Sequence, residues 1–353
     1  MTDFILYGAY GYTGQLITQM AKDYGLQPLL SGRNAAKLRP LAETHGFEHV
    51  AVDLADRAAI EELLARAPIV LHAAGPFIHT AKPMLEACLA TGTHYLDITG
   101  EIGAFSKSQR RDQRAKEANI MLMPGVGFDV VPTDCMAAYL KERLPDATHL
   151  KLAFAWSGGG VSQGTAKSML NGMGHPGAIR EDGQIKPVKP GYKSASFPFT
   201  ADKKLSAITI PWGDVFTAYF TTGIPNIETY FAAHPKQQAN IRRSAWMGPV
   251  LRLGFVKNYL RKKIEQRPAG PSDEQRQQGR AFVYGEVRNA AGEKRAARIN
   301  TLEGYTLTAI TALIIAKRVK AGNWKPGFWT PAGLYGKDLI MEVPDTQRED
   351  VSL

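Results

Sequence analysis

Residues 4–14 read FILYGAYGYTG: four apolar residues run straight into Gly8, Gly11 and Gly14, each three positions after the last. Phe4 to Tyr7 has the length and apolarity of a buried strand, and Gln15 to Lys22 reads as a helix with Leu16, Ile17 and Met20 inward. A strand, a glycine turn and a helix open a dinucleotide-binding βαβ unit. The first glycine allows a tight turn, the second lets backbone approach a diphosphate, and the third lets the helix pack against the strand. An anion is then expected at the helix N-terminus, where unpaired N–H groups and the helix dipole favour negative charge. Tyr10, Tyr12 and Thr13, set between the glycines, belong to the same expected cradle.

The next strand, Gln27 to Leu30, leads into Ser31-Gly32-Arg33-Asn34. A chain that binds NAD carries an acid near here for the ribose 2′-hydroxyl. Arg33 stands there instead, and a planar guanidinium suits a 2′-phosphate and can stack on adenine. NADP is therefore expected in preference to NAD, with Ser31 and Asn34 adding hydrogen bonds and Gly32 beside them. The alternation continues through helices at Ala36–His45, Arg57–Ala65 and Lys82–Thr91. The third strand, His49–Val52, ends at Asp53, an expected partner for the adenine amino group. Pro68–Ala73 ends in Ala74-Gly75-Pro76, His94–Ile98 in Thr99-Gly100-Glu101, and Asn119–Met123 in a loop with Gly125, Phe128 and Asp129. Such alternation gives a parallel sheet covered on both faces, with ligands outside the carboxyl ends of its strands.

The chain has 353 residues, 44% of them hydrophobic, enough for two domains. No apolar run approaches the roughly eighteen residues of a membrane span, and the opening residues do not read as a secretory signal. Cys88 and Cys135 are the only cysteines and lack metal-ligand spacing, so no metal is expected and a cytoplasmic location is. The net charge of +10 points to acidic partners. No HExxH or GxSxG motif supports metal-assisted or serine hydrolysis, and no reading motif supports nucleic-acid binding.

The stretches GAYGYTG, AAGPF, GTHYLDITGE and PGVGFDVVPTD, in this order, resemble the NAD(P)-binding domain of the saccharopine dehydrogenase-like oxidoreductases. AGPSDEQR, INTLEGYTLTA and PGFWTPAGLYGKDLI resemble a bacterial branch of that group, similar to trans-acting enoyl reductases. The resemblance implies an α/β fold: a Rossmann domain, with its doubly wound parallel sheet, followed by a mixed α/β substrate domain. By position it implies Gly8, Gly11 and Gly14 at the diphosphate and Arg33 at the 2′-phosphate. Ala74, Gly75 and Pro76 fall at the nicotinamide ribose, and Thr99, Gly100, Glu101, Gly125 and Phe128 near the ring. The expected division is residues 1–130 for the cofactor domain and 131–325 for a substrate or dimerisation domain. Residues 326–353 form a segment returning toward the first.

In the second half, Cys135–Leu144 is expected as a helix capped by Thr133 or Asp134, and His149–Trp156 as a strand followed by a glycine turn. Ser162–Asn171 reads as a helix and Gly172–Lys204 as a long loop or lid. Ser206–Pro211 and Val215–Thr221 read as strands, Phe282–Arg288 and Arg295–Asn300 as a hairpin, and Thr306–Val319 as an amphipathic helix. Residues 245–267 interleave Trp246, Phe255 and Tyr259 with Arg252, Lys257, Arg261, Lys262 and Lys263. That pattern fits either a helix packed on the domain or one lying in a membrane interface.

Hydride transfer belongs to the cofactor, so the protein must manage a proton. Glu101, Asp129 and Tyr95 are the candidate donors; Glu101 and Asp129 could instead cap helices or hold backbone amides, and Tyr95 could be core. The leading expectation is an NADP-dependent oxidoreductase that reduces an unsaturated acyl or lipid-linked substrate in the cytoplasm or at the membrane face. A C–N dehydrogenase of saccharopine type and a non-catalytic NADP-binding scaffold at lipid surfaces are the alternatives. Expected partners are a small-molecule or lipid-linked substrate, the membrane through 245–267, and a second copy of the chain.

Overall fold

The computed structural model describes residues 2–158, 160–244 and 253–352. Two compact units emerge, one of residues 1–131 with 304–334, the other of 132–303 with 335–353.

The first unit alternates strand and helix as β1 (Phe4–Tyr7), α1 (Tyr12–Met20), β2 (Pro28–Gly32), α2 (Ala35–His45), β3 (His49–Ala51), α3 (Arg57–Leu64), β4 (Ile69–His72), α4 (Phe77–Thr91), β5 (His94–Asp97), α5 (Ile102–Gln109), α6 (Asp112–Glu117) and β6 (Met121–Met123). All pair in parallel, and a last strand, Gly327–Phe328, pairs with Met121–Leu122. The order from that strand is β6-β5-β4-β1-β2-β3, seven strands among the described residues. β1 and β4 are buried at every position. That suits a sheet covered on both faces and explains their unbroken apolar runs. The chain reverses between β4 and β1, so their carboxyl ends flank the crevice where doubly wound sheets bind ligands.

The second unit begins with α7 (Val131–Arg143), β7 (His149–Ser157), α8 (Gln163–Gly172), β8 (Gly177–Glu181), β9 (Gln184–Val188), β10 (Ser194–Pro198), β11 (Lys204–Thr209), α9 (Asp214–Thr222), β12 (Asn226–Ala232), α10 (Pro235–Ser244) and α11 (Gly254–Glu265). It continues through α12 (Asp273–Gln278), β13 (Arg280–Arg288) and β14 (Lys294–Leu302). α13 (Gly304–Lys320) then enters the first unit, and β15 (Gly327–Phe328), α14 (Pro331–Tyr335) and β16 (Gln347–Val351) complete the chain. Its mixed sheet has nine strands among the described residues, with β12 and β7 parallel and the other neighbours antiparallel. One face buries Ala153, Tyr230, Tyr284, Phe197 and Phe199. On the other, α7 lies so close that a Cβ on Gly285 would stand 2.5 Å from Met136 Cγ.

Four local expectations are corrected. Val215–Thr221 is helix, not strand: α9 buries Val215, Phe216, Thr217, Ala218 and Thr222. Thr222 donates to the Ala218 carbonyl at 2.6 Å, and Gly223, at φ 69°, ends the helix. Burial and a glycine stop outweigh the β preference of its Val, Phe, Tyr and Thr residues. Gly172–Lys204 is not a lid without structure. β8 and β9 form a hairpin around Asp182-Gly183, both at positive φ (49° and 76°), a turn signal that counting Gly, Pro and Lys overlooks. Thr133 and Asp134 lie inside α7 rather than capping it, and Asp134 accepts a hydrogen bond from the Thr221 hydroxyl. α1 likewise starts at Tyr12, three residues before the expected Gln15. Of the basic segment, residues 245–252 fall outside the described residues; the rest is mainly α11.

Candidate functional site

The carboxyl ends of the first sheet's strands collect most of the candidate residues. Gly8 leaves β1 at φ +95°, a value that side chains rarely tolerate, and a Cβ there would stand 2.7 Å from the Ala74 nitrogen. A Cβ on Gly14 would stand 2.4 Å from the Gly8 carbonyl oxygen. The Gly11 N–H donates to the Gly8 carbonyl at 2.9 Å, and Gly11, with no side chain, is the N-cap of α1. The turn is thus pinned by its own backbone and by the end of β4, with its surface free of side-chain bulk. Thr13 lies in the first turn of α1 and Tyr12 crosses Tyr305 edge to face, ring centroids 5.0 Å apart.

At the end of β2, the Tyr10 ring lies against Gly32, where a Cβ would meet Tyr10 Cε1 at 2.7 Å. Arg33 is exposed and forms no ion pair among the described residues. Ser31 is fully buried, and its hydroxyl donates to the Val50 carbonyl at 2.8 Å, so its role there is to join β2 to β3. Asn34 caps α2 by accepting from the Lys37 N–H. Asp53 holds the Ala55 N–H at 2.9 Å. A cavity of about 500 Å³ opens nearby, lined in part by Leu54, Ile60, His79, Lys82 and Pro83.

At the ends of β4, β5 and β6 the chemistry changes to acids. Glu101 accepts from the N–H groups of Phe77 (3.0 Å) and Ile78 (2.7 Å), so it caps α4, which begins just after Ala74, Gly75 and Pro76. Thr99 is buried and its hydroxyl accepts from the Glu101 N–H. Asp129 is partly buried, with its carboxyl against Gly100: a Cβ there would meet Asp129 Oδ2 at 2.4 Å. Burial first, and the Glu101 charge second, push the Asp129 carboxyl up to about 7. Gly125, at φ +79°, turns the loop, and the Phe128 N–H donates to Thr308 Oγ1 of α13 at 2.9 Å. Tyr95 is fully enclosed and its hydroxyl donates to Asp97 at 2.5 Å, so it sits in the core and not at the strand ends.

Two residues at these ends carry more than their sequence setting announces. Asp97 is fully buried and accepts from Tyr95 and from the N–H groups of Thr99 and Gly125. It joins the loops after β5 and β6, and burial raises its carboxyl to about 6. His72 is fully buried at the end of β4, its Nε2 3.0 Å from Thr80 Oγ1, and burial lowers it to about 3, leaving it neutral. The acid ending HYLD is the one sequence signal that could have drawn attention to Asp97.

The second unit, taken by itself, carries an aromatic slab. Phe154, Trp156, Trp212 and Phe231 pack as a continuous group, with centroids 4.5 Å apart for both Phe154–Trp212 and Trp156–Phe231. Trp156 remains 43% exposed. No group of three or more His, Cys, Asp or Glu side chains that could hold a metal occurs among the described residues. Nor is any of their helices long and apolar enough to cross a membrane.

Residues 4–123 match the Saccharopine dehydrogenase NADP binding domain family. The chain is 25% identical to a rat saccharopine dehydrogenase-like oxidoreductase over 238 residues, 59% of this chain and 56% of the relative. It is 28% identical to a trans-acting enoyl reductase of Mycobacterium ulcerans over 196 residues, 50% of this chain and 47% of that one. It therefore spans about half the length of the curated relatives it matches. Apo saccharopine dehydrogenase (L-Glu forming) from Saccharomyces cerevisiae aligns over the whole of both chains with TM-score 0.70 at 13% identity, a likeness of fold.

Proposed function

We propose that this chain, whose residues 4–123 match the Saccharopine dehydrogenase NADP binding domain family, is an NADP-dependent oxidoreductase that reduces the double bond of an unsaturated acyl or lipid-linked substrate. The bare turn at Gly8, Gly11 and Gly14 fits a diphosphate: the side chains that would fill it are absent, and its backbone is already pinned. The observation that carries the NADP reading is Arg33, an exposed cation without an ion pair among the described residues, where a 2′-hydroxyl reader would be acidic. The names of the mycobacterial and rat relatives support an oxidoreductase, and the former supports an alkene as the reduced group.

When bound, the nicotinamide supplies the hydride for one alkene carbon; the neighbouring carbon needs a proton. Asp129 is the donor in this reading. Its carboxyl is pushed up to about 7 by burial and by Glu101, so a good share of it carries a proton near neutral pH, and that proton is one it can release. Glu101 is a positioning residue: it fixes the start of α4 and raises Asp129. Asp97 shapes the loops that carry them.

The test is NADPH consumption by the purified chain with an α,β-unsaturated acyl thioester, followed by absorbance, with product identified by mass. Gain of two hydrogens by the acyl chain is the expected result. NADPH oxidation with a keto acid and an amino acid instead would favour C–N chemistry. Tight NADPH binding with no turnover of any substrate would favour a scaffold.

A further inference from the structure

α11 is joined to its unit by α8. The two run antiparallel: the Gln163 side chain donates to the Arg267 carbonyl at 2.6 Å at one end, and the Lys257 ammonium donates to the Asn171 carbonyl at 3.4 Å at the other. Ile264, with Leu260, packs on Ala166 and Leu170. Of α11, Ile264 alone is buried.

The opposite side of the helix should be polar if it faced water alone. It is not. Phe255 and Tyr259, four residues apart and therefore on one face, are 71% and 58% exposed. Lys262 and Lys263 follow at i+7 and i+8 on the same face, and the Lys263 ammonium lies 4.8 Å from the Tyr259 ring centroid. Leu253, at the N-cap, is 45% exposed. On α8, Met169 (60% exposed) stands level with Tyr259, and Met173, just past the helix end, with Phe255. The helix carries Lys257, Arg261, Lys262 and Lys263 against a single acid, Glu265, which Lys167 neutralises at 2.9 Å.

We propose that the outer face of α11 docks on an anionic lipid surface. Phe255 and Tyr259 enter the interface, with the thioether of Met169 beside them, while Lys262 and Lys263 meet acidic headgroups. Aromatic side chains settle at the boundary between headgroup and acyl chain, and cations on such a helix are drawn to negative lipid. Charge complementarity selects this occupant over an apolar protein groove, which would have to bury the lysines. The proposal does not depend on the reaction, so it can fail while the oxidoreductase reading stands, and the reverse.

The experiment is sedimentation of the full chain with vesicles of phosphatidylcholine alone and with phosphatidylglycerol added. The expected result is binding to the mixed vesicles that weakens with salt. Phe255→Ser with Tyr259→Ser should reduce it at least about tenfold, and Lys262→Glu with Lys263→Glu should remove the preference for phosphatidylglycerol. NADPH titration should be unchanged in both variants, which establishes that they are folded. Tyr259→Trp should show a blue-shifted emission only with the mixed vesicles. Failure of the full chain to sediment, or binding indifferent to both double variants, overturns the proposal. So does a self-associated chain that Phe255→Ser with Tyr259→Ser converts to monomer, because the occupant is then a second copy.

Discussion

The carboxyl edge of the first sheet treats charge in opposite ways at its two ends. Around β1 and β2 it offers bare backbone, a helix start and the solvent-exposed cation Arg33. Around β5 and β6 it gathers three carboxyls, Asp97, Glu101 and Asp129, two of them raised by burial. The first arrangement suits a phosphate-rich ligand whose charge arrives from outside. The second raises carboxyls toward neutral pH, as the proposed proton donor requires. One scaffold can do both because each strand end is separately dressed by its own loop, while the strands beneath are mainly apolar.

The comparison breaks most sharply at the first end. Gly14→Ala places a methyl 2.4 Å from the Gly8 carbonyl oxygen, so the turn must open. Loss of measurable NADPH binding is expected, with a stability cost of about 1–3 kcal/mol, read by titration and thermal unfolding. An alanine variant that binds as the parent does would show that the turn is not the cradle.

Asp129→Asn tests the second end. It should lower kcat by about a hundredfold or more and leave NADPH affinity unchanged. Stability adds a second reading. The Asp129 pKa rises from an ordinary 3.8 to about 7 on folding, so its contribution is complete below about 4 and is lost as pH rises toward 7 and beyond. Asparagine cannot ionise, so the variant should lose less stability than the parent between pH 4 and 8. Identical pH profiles of unfolding would remove Asp129 as the raised group.

Glu101→Gln sharpens the contrast with a smaller effect. It keeps one acceptor oxygen for the Phe77 or Ile78 N–H, turns an NH2 donor toward the other and loses the charge that favours a helix start, at a cost of about 1–2 kcal/mol. Without that charge the alkaline limb of the pH–rate profile, where Asp129 loses its proton, should move to lower pH. A profile that stays in place would confine Glu101 to its helix.

How much of this could be read from residues follows the reach of each interaction. β1, the glycine turn and α1 were legible because strand, bend and helix lie within some twenty consecutive residues, each requiring a particular side-chain size. The strand alternation to Met123 was legible for the same reason, since fully buried parallel strands leave unbroken apolar runs. Asp97 was hidden because the partner that makes it a link between two loops, the Gly125 N–H, is remote in the chain. Ser31 shows the converse: a polar residue in the right loop whose hydroxyl turns inward to Val50. Tyr95 likewise spends its hydroxyl in the core. α9 was not legible because tertiary burial and the stop at Gly223, rather than the β preference of its Val, Phe, Tyr and Thr residues, decide its form. In α11 the residues were visible, but not that Phe255 and Tyr259 face away from Ile264.

The most direct test of the charge division is a pair of titrations, NADPH and NADH, on the parent chain and on Arg33→Asp. The account predicts that the parent prefers NADPH and that the substitution weakens NADPH by about ten- to a hundredfold, the range of one charge-assisted phosphate contact, while NADH changes little. Equal weakening of both dinucleotides, or of neither, would contradict it.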